Sequence, residues 1–539
     1  MGEHDGRRLG ELIERLSARG VLRGVLRGVL SPATGDADAP VRGIHFDSRR
    51  VEPGGVFVAI PGTYADGHDF AAAAAGRGAI ALIVERELPG IAVSQLVVEA
   101  ARPALAIAAA WYEGDPSARL GIVGVTGTDG KTTTCHLVAA VLRAAGLPAG
   151  LVTTVGVTIG GREHGYTGHT TPEAPIVQAQ LSAMLAAGDR FAIVESTSHG
   201  LALDRVAEIE FDVAVLTNIS HEHLDLHGTP GAYRAAKRRL FEWLAPPAGA
   251  GKEWPKTAVI NGADEWADEF IRAARTAGAR VITYAADPAV AADVSARRLD
   301  ERWDGLTIDA VTPRWQAPVE VRLPGSFNAL NALAAIAVGE ALGLEPDAIR
   351  TGIAAVSGVD GRMERIEAGQ PFAVFVDFAH TPGALAAALD GLAPLARARG
   401  GGLISLFGSP GRRDIAKRPM MGRAAGERSR VVVLTDDDPR DDDRQQILEQ
   451  IARGAEAAGR RRGHDLFLIP DRAAAIRHAL SLARSADIVL LAGKGHEATL
   501  ATAEGPVAWD EAAVARAALA EMGFAPPLTR DAQGEAMPR

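Results

Sequence analysis

The sequence GIVGVTGTDGKTT, residues 121–133, decides how this 539-residue chain is expected to fold. An apolar run at 121–125 is followed by a glycine-containing turn and then by the start of an apolar helix. This order is typical of a strand–loop–helix unit whose backbone N–H groups wrap phosphate groups. Lys131 would neutralise a phosphate and Thr132 would bind Mg²⁺. The strict form of the pattern has glycine at 125, where this chain has Val125.

Similar apolar runs recur along the chain after this unit, each ending in polar or glycine-rich residues. Helical stretches separate them, which predicts parallel sheets with crossover helices. The runs form two series, 121–125, 191–194, 213–216 and 258–260, then 373–376, 403–407, 431–434, 466–469 and 488–491. We therefore predict a three-domain α/β protein with a small N-terminal domain (1–115), a central phosphate-loop domain (116–358) and a C-terminal Rossmann-like domain (359–539).

The N-terminal domain has clear turn residues but few residue patterns that are typical of a catalytic or binding site. Residues 8–30 are predicted as helix, 54–62 as a strand, 71–78 as a helix and 79–85 as a buried strand. At the other end, the chain beyond about residue 526 is rich in proline and polar residues and is expected to fray.

The amino-acid composition excludes several classes of function. Asp and Glu number 67 against 57 Lys and Arg, a net charge of −10, which disfavours nucleic-acid binding through phosphate neutralisation. A single cysteine, Cys135, excludes an internal disulfide framework and is expected to be a packing residue. No run approaches the roughly 20 apolar residues of a membrane span, and the N-terminus lacks signal-peptide order. The sequence predicts a cytoplasmic protein without a membrane partner.

Polar residues follow the central strands, where ligands bind in open parallel sheets. Glu195 follows one run, and 221–225 (His-Glu-His-Leu-Asp) follows the next. Beside a phosphate loop, a carboxylate and an imidazole can hold a divalent ion, although a histidine-rich segment alone is more often a surface turn. Thr229 and Pro230 predict a helix start, after which Tyr233 and Lys237 share a face.

The second sheet has four strand-end clusters that mix acids with arginine, lysine or histidine. They are 377–382 (DFAHTP), 408–414 (GSPGRRD), 436–440 (DDDPR) and 493–497 (GKGHE). Such clusters suit a ligand that carries both carboxylate and ammonium, for example an amino acid. Ion-paired loops are the simpler interpretation of any one cluster.

Taken together, these segments resemble the Mur ligases, ATP-dependent amide-forming enzymes of peptidoglycan precursor synthesis. The similar segments occur in family order over nearly the whole chain, and within the family they resemble the tripeptide synthetases. They are 124–134, 196–200, 217–225, 233–237, 323–328 with Asn331, 361–364 and 377–382, with 47–49, 437–440 and 493–497 as the markers of tripeptide synthetases.

The resemblance implies a role for each matching residue. ATP would contact Gly127, Thr128, Asp129, Gly130, Lys131, Thr132, Thr133, Asn328, Arg362, Asp377 and His380. Mg²⁺ would be held by Thr132, Glu195, His223 and a carbamylated Lys237, with Lys131, Lys237 and His223 as the catalytic residues. The UDP-N-acetylmuramoyl-dipeptide would contact Phe46, Ser48, Thr63, Tyr64, Ala65, Thr170, Thr171, Ser198 and Arg205. The free diamino acid would contact Arg413, Asp437, Asp438, Pro439, Arg440, Gly493 and Glu497.

The implied reaction adds the third amino acid to UDP-N-acetylmuramoyl-L-alanyl-D-glutamate through an acyl phosphate, carried out by a monomer. Asp129 and Asp438 depart from the family pattern, which has asparagine at the first position and, in enzymes that take meso-diaminopimelate, at the second. An extra carboxylate at Asp438 should favour a distal ammonium, so lysine or ornithine is expected over meso-diaminopimelate.

Two other interpretations remain open. A folylpolyglutamate or cyanophycin-type amide ligase would share the phosphate loop but should not need segments 41–70 and 437–440. A non-catalytic nucleotide-binding relative would have no use for an amino-acid pocket.

Overall fold

The computed structural model describes residues 6–26, 36–62, 65–165, 168–220, 227–245, 252–412, 415–524, 529–530 and 536–537. The chain divides into two compact units, each built on α/β sheets. The first comprises Met1–Tyr284 with Ile336–Ile349, and the second comprises Ala285–Ala335 with Arg350–Arg539.

The first unit begins with a five-stranded sheet in the order β1-β5-β4-β3-β2. Strands β2 to β5 are parallel and β1 pairs antiparallel with β5. The strands are β1 (Leu22–Leu26), β2 (Gly43–His45), β3 (Gly55–Val58), β4 (Ala81–Val84) and β5 (Ser94–Val98), and the helices are α1 (Leu9–Ala18), α2 (Ala71–Gly76) and α3 (Ala101–Glu113).

The helix predicted over 8–30 is wrong beyond residue 18. Helix α1 ends at Ala18, and Gly20 then adopts a φ of 70°, a left-handed conformation that glycine reaches at little cost. The chain continues as β1, whose partner β5 lies some 70 residues away in the sequence. A long-range pairing of this kind has no local signal. Residues 27–30 lie outside the described residues.

Eight strands of the first unit pair side by side in the order β13-β12-β11-β6-β10-β7-β8-β9. The strands are β6 (Gly121–Thr126), β7 (Ala149–Thr153), β8 (Gly156–Ile159), β9 (Arg162–His164), β10 (Phe191–Glu195), β11 (Val213–Leu216), β12 (Thr257–Asn261) and β13 (Arg280–Ala285). The helices are α4 (Lys131–Ala144), α5 (Ala174–Ala186), α6 (Ser198–Ala202), α7 (Pro230–Glu242) and α8 (Ala267–Thr276).

The register of this sheet brings its functional ends together. Strands β13 to β7 are parallel, and Glu195 at the end of β10 lies opposite Val125 of β6. On the other side of β6, Thr126 lies opposite Leu216. The residues that follow β6, β7, β10 and β11 therefore share one edge, as predicted for those after β6, β10 and β11 because ligands bind beyond the carboxyl ends of parallel strands.

The second unit contains an antiparallel meander and a six-stranded sheet. The meander, which the sequence analysis did not predict, is β14 (Val294–Arg302), β15 (Gly305–Val311) and β16 (Gln316–Val321). The sheet order is β17-β18-β22-β19-β20-β21, parallel apart from the edge strand β17. Its strands are β17 (Glu364–Arg365), β18 (Ala373–Asp377), β19 (Leu403–Phe407), β20 (Val431–Leu434), β21 (Leu466–Leu468) and β22 (Ile488–Ala492).

The remaining elements connect or follow these strands. The helices are α9 (Phe327–Ala341), α10 (Pro346–Ala355), α11 (Pro382–Ala398), α12 (Lys417–Arg428), α13 (Arg444–Ala457), α14 (Arg472–Ser481) and α15 (Glu511–Glu521). The hairpins are β23 (Thr499–Thr502) with β24 (Gly505–Ala508), and β25 (Thr529–Arg530) with β26 (Ala536–Met537). The latter two strands are all that is described of the tail after residue 526.

Alternation along the strands divides the hydrophobic core of the second unit into two layers. Phe375 and Leu403 pack into the layer that also holds residues of α11 to α13. Their neighbours Val374 and Ile404 point to the opposite face, into the layer with residues of α14 and α15. Since both faces of the sheet are covered, its strands read as continuous apolar runs, which is why the sequence revealed them.

Two expectations from composition can be compared with the structure. Cys135 is a free, fully buried residue of α4, and burial raises the pKa of its thiol, as suits a packing residue. Within the described residues, no helix combines the length and the hydropathy needed to cross a membrane.

Asp66, which caps a short 3₁₀ helix in the N-terminal part of the chain, has a carboxylate that should make the free energy of unfolding depend on pH. Asp66 accepts hydrogen bonds from the backbone N–H and Nδ1 of His68 and from Arg86, which together hold its pKa well below the usual range. A depressed folded pKa stabilises the protein above the unfolded value of about 4, and this contribution is lost as the pH falls further.

We expect Asp66→Asn to lower the free energy of unfolding at pH 7 by about 1 kcal/mol, a figure discounted because a third of the Asp66 side chain is exposed. The difference from the unmodified protein should shrink as the pH falls from about 4 towards 2. Urea unfolding at several pH values measures it, and a difference that is constant with pH would contradict the assignment.

Candidate functional site

The phosphate loop is shaped by two glycines with positive φ. Gly127 has a φ of 146°, and a Cβ added there would lie 1.8 Å from Thr217 Oγ1. Gly130, with a φ of 82°, precedes the first residue of α4. Only glycine fits at 127, because the loop lies directly against the residues that follow β11. The backbone N–H groups at the start of α4 are thereby placed at the carboxyl edge of the sheet.

Residues after β11 hold this loop through its backbone. Thr128 N donates to Asn218 O at 2.7 Å, and Asp129 N donates to Asn218 Oδ1 at 3.0 Å. Thr217 Oγ1 and Asn218 Nδ2 both donate to Asp129 O, at 2.6 and 3.1 Å. The main chain at Asp129 is thus fixed independently of its side chain. A change from asparagine to aspartate at this position leaves these bonds intact.

Two lysines lie against the loop. Lys131 Nζ donates to Thr128 O at 2.6 Å, and Lys237 Nζ donates to Gly127 O. Lys237 is 2% exposed, and its ammonium lies 4.5 Å from the centre of the Tyr233 ring. Helix α7 begins as predicted, with Thr229 capping the N–H of Ala232. The predicted shared face of Tyr233 and Lys237 therefore points to the loop.

Glu195 is the central carboxylate of the edge and is 1% exposed. Its Oε2 accepts hydrogen bonds from Thr132 Oγ1 and from Thr154 N, both at 3.0 Å. Its Oε1 accepts a hydrogen bond from Thr154 Oγ1 at 2.9 Å. Within the described residues, no cation pairs with this buried carboxylate, so hydroxyl and amide groups alone compensate for its loss of hydration.

These donors fit a magnesium ion. Hydroxyl and carboxylate oxygens are the hard ligands that Mg²⁺ prefers, and neighbouring ligands of an octahedron with bonds of about 2.1 Å lie about 3 Å apart. Thr132 Oγ1 and Glu195 Oε2 are separated by 3.0 Å. Two of the four predicted metal ligands are thus adjacent. His223 lies outside the described residues.

The predicted dipeptide contacts gather beside Glu195. Thr171 Oγ1 donates to Glu195 O at 2.7 Å, and Arg205 donates to Thr171 O at 2.9 Å. Glu173 pairs with both Arg205, at 2.9 Å, and Arg102, at 3.3 Å, so two cations share one carboxylate. The buried Ser198 Oγ and Arg205 Nε have no hydrogen-bond partner within the described residues. A cationic group with spare donors suits an anionic ligand.

The predicted uridine contacts lie in segments that follow strands of the N-terminal sheet. Phe46 follows β2 and packs partly buried against the apolar core, and Ser48 starts a short 3₁₀ helix capped by Asp47. Ala65 is exposed and its carbonyl accepts from Gly62 N at 3.0 Å. Thr63, Tyr64 and Arg413 lie outside the described residues.

In the second unit, three of the predicted nucleotide contacts are close together. Asp377 accepts hydrogen bonds from the N–H groups of Met363 and Ala379, each at 2.8 Å. Arg362 stacks on Phe378, 4.5 Å from the ring centre, and the His380 ring lies 4.6 Å from the same ring. Asn328 is 2% exposed, donates to Pro324 O and accepts a hydrogen bond from Asn331.

The predicted amino-acid contacts surround a buried lysine. Lys494 is fully buried and donates to Asp438 Oδ1 at 2.8 Å and to Glu497 Oε2 at 2.5 Å. Burial opposes its charge, but the carboxylates of Asp437, Glu497 and Asp438 outweigh that effect and raise the pKa of Lys494. Asp438 Oδ1 also accepts from Ala501 N at 2.9 Å. One ammonium therefore stands against three carboxylates and pairs with two of them, Asp438 and Glu497.

Backbone geometry fixes the loop that carries these acids. Asp438 and Arg440 have φ values of 48° and 55°, unusual for residues other than glycine. Hydrogen bonds hold this shape: Gly411 N donates to Asp438 O at 2.9 Å, and Arg440 donates to Gly411 O at 3.1 Å. Arg440 also borders a cavity of about 300 Å³ that Arg444 and Trp509 line.

The sequence analysis missed two residues that organise these sites. Arg472, fully buried, pairs with Glu511 at 2.6 Å and donates to the carbonyls of Asp436 and Ala492, both at 2.8 Å. It thereby ties the loop at 437–440 to the loop at 493–497. Thr154 was missed as well, because the strand that it follows, β7, was not among the predicted apolar runs.

The close contact at Gly127 gives a test of the phosphate loop. We expect Gly127→Ala to weaken ADP binding more than about tenfold, because about 1–3 kcal/mol of backbone strain adds to the collision with Thr217. Isothermal titration calorimetry measures the change. Gly146→Ala is the control, since Gly146 also has a positive φ of 74° but faces open space. Equal effects of the two substitutions would contradict the assignment.

Comparison with known proteins agrees with this geometry. Three family models match in order: the catalytic domain of the Mur ligase family at 40–110, the Mur ligase middle domain at 125–339, and the Mur ligase glutamate ligase domain at 361–495. The chain is 47% identical over 493 residues to the UDP-N-acetylmuramyl-tripeptide synthetase of Roseiflexus sp. (strain RS-1), covering 90% of this chain and 95% of the relative.

Two further relatives carry a more specific name. The UDP-N-acetylmuramoyl-L-alanyl-D-glutamate–2,6-diaminopimelate ligase of Solibacter usitatus is 42% identical, covering 90% of this chain and 95% of the relative. A solved structure of a ligase of that name is 31% identical with a TM-score of 0.64, covering 92% of this chain and 98% of its own. The predicted three-domain α/β fold is confirmed, and the chain belongs to the Mur ligase family, a family of ATP-dependent ligases.

Proposed function

We propose that this ligase adds a diamino acid to UDP-N-acetylmuramoyl-L-alanyl-D-glutamate in peptidoglycan precursor synthesis, using ATP and Mg²⁺. The observation that carries the proposal is the single sheet edge that holds the phosphate loop, the Glu195–Thr132 pair and the hydroxyls of Thr170 and Thr171. The two full-length relatives are named as enzymes of this step. The enzyme acts as a cytoplasmic monomer on small-molecule substrates, without nucleic acid or membrane.

The proposed domain limits follow the sheets. Residues 1–115 contain the five-stranded sheet, 116–358 the phosphate loop with strands β6 to β16, and 359–539 the six-stranded sheet. The matched family models fall within the same three ranges. The first range would hold the uridine part, and the last would bring Arg362, Asp377 and His380 to the nucleotide.

In the proposed reaction, the side-chain carboxylate of the substrate's glutamate attacks the γ-phosphorus of ATP. This gives an acyl phosphate and ADP. The amine of the diamino acid then attacks the acyl carbon, and phosphate leaves. Lys131 would turn from Thr128 O to the transferring phosphoryl group and neutralise its developing charge. Thr132, Glu195, His223 and carbamylated Lys237 would hold Mg²⁺, which supplies further neutralising charge when bound.

The principal test follows phosphate release and product mass with lysine, ornithine or meso-diaminopimelate supplied separately. We expect tripeptide nucleotide from one of them. Lys131→Met should reduce kcat by at least about 100-fold, the usual cost of removing a group that stabilises transition-state charge. Arg143→Met, at an exposed position on the same helix, is the control. ATP hydrolysis that ignores both co-substrates would contradict the proposal and favour a nucleotide-binding relative.

We further propose that lysine or ornithine is used in preference to meso-diaminopimelate. The acids at 437, 438 and 497 outnumber Lys494, and the remaining negative charge favours a distal ammonium over a distal carboxylate. Arg440 bonds to Gly411 O, an interaction that competes with pairing to a carboxylate ligand.

Asp438→Asn tests this preference with little change in shape, because an amide oxygen can still accept from Lys494 and Ala501. We expect the ratio of kcat/KM for lysine to that for meso-diaminopimelate to fall by about tenfold, equivalent to about 1.4 kcal/mol. Asp441→Asn, an exposed position that pairs with Arg412, is the matched control. An unchanged ratio would reject the role of Asp438.

Carbamylation of Lys237 is proposed from its burial beside the phosphate loop. A carbamate would replace an ammonium with an anion that can bind Mg²⁺. With ¹³C-labelled bicarbonate, we expect a carbamate carbonyl resonance that disappears in Lys237→Arg and persists in Lys256→Arg. The control residue, Lys256, is also largely buried but is paired with Asp212 at 3.0 Å. A signal that survives Lys237→Arg would place the carbamate elsewhere.

A further inference from the structure

Thr154 directs both of its polar groups at Glu195. It lies one residue beyond β7, and its backbone N–H donates to Oε2 at 3.0 Å while its hydroxyl donates to Oε1 at 2.9 Å. Thr154 is 8% exposed, so little water competes for these bonds. Both oxygens of the Glu195 carboxylate are therefore oriented by the same residue, Thr154. Thr132, at the start of the helix after the phosphate loop, donates to Oε2 as well.

The Thr154 hydroxyl also reaches a second group. Thr170 Oγ1 lies 3.1 Å from Thr154 Oγ1. Thr154 Oγ1 is in donating position towards both Thr170 Oγ1 and Glu195 Oε1. A hydroxyl has one proton, so these two acceptors share the same donor. A ligand that binds at Thr170 and a metal ion at Glu195 therefore both depend on the Thr154 hydroxyl.

We propose that Thr154 is a positioning residue that joins the metal subsite to the muramoyl-peptide subsite. It orients Glu195 for Mg²⁺, and its hydroxyl positions the Thr170 hydroxyl at the peptide subsite. Loss of the hydroxyl would therefore weaken the binding of both ligands. The inference rests on the proposed function, because it takes the ligand at Thr170 to be the nucleotide dipeptide.

The neighbouring residue supplies a matched control for a purely structural role. Thr153, the last residue of β7, is 2% exposed, and its hydroxyl donates to Gly156 O at 3.1 Å within the turn to β8. Thr153→Val and Thr154→Val each remove one buried hydroxyl while keeping the volume of the side chain nearly unchanged. Only the second touches the site.

The experiment compares Thr154→Val, Thr154→Ser and Thr153→Val without turnover. Free Mn²⁺ is titrated by electron paramagnetic resonance with protein and ADP, and nucleotide-dipeptide binding is measured by calorimetry. Substitutions of residues that orient metal ligands cost about 10–100-fold in affinity. We expect Thr154→Val to weaken Mn²⁺ binding about tenfold or more and to weaken dipeptide binding, Thr154→Ser to restore both, and Thr153→Val to change only the melting temperature.

A double-mutant cycle of Thr154→Val with Thr170→Val tests the link between the subsites. Their effects on dipeptide binding should be non-additive, since both remove the same hydroxyl pair. Additive effects would overturn the coupling, and unchanged Mn²⁺ affinity in Thr154→Val would overturn the positioning of Glu195. Failure of the proposed function gives a different result, because the unmodified protein itself would not bind the nucleotide dipeptide. That result would also overturn the coupling between the subsites. The Mn²⁺ titration would still decide whether Thr154 orients Glu195.

Discussion

Burial of the Glu195 carboxylate is the constraint on which the first unit depends. A charged carboxylate taken from water costs several kcal/mol unless donors replace its hydration. Three donors from Thr132 and Thr154 replace the hydration of Glu195. They belong to the start of α4 and to the residue after β7, both of which are distant from Glu195 in the sequence. The parallel register that places β10 between β6 and β7 is what brings them together. A shift of β10 by one residue against its neighbouring strands would turn the Glu195 side chain to the other face of the sheet.

A comparable arrangement supports the second unit. Arg472 is buried and its guanidinium binds Glu511 and two carbonyls at once. A planar guanidinium with five donors can satisfy all of these groups, whereas a lysine ammonium has three. The carbonyls belong to the last residues before two acidic loops, so a buried ion pair sets the distance between them. Lys494 then neutralises part of the negative charge that this closeness creates.

Much of the fold could be predicted because the central strands are buried on both faces. Continuous apolar runs such as 403–407 and 488–491 marked these strands, and the residues after them marked the site. The prediction was wrong where pairing depends on distant partners. Leu22–Leu26 was predicted as helix although it is an edge strand paired with β5. The meander at 294–321 was not predicted, because buried and less buried residues alternate along much of it and no continuous apolar run marks it.

The sequence by itself determined the order of strands and loops, the phosphate loop and the chemical types at each strand end, because local patterns encode them. Only the tertiary structure decided which of these groups meet. It placed the Thr154 hydroxyl on Glu195, and it paired Asp438 with Lys494, two residues that belong to separate strand-end clusters of the sequence. Hydrogen bonds between residues about 40 to 60 positions apart leave no mark in a single sequence, since either partner alone has an ordinary role.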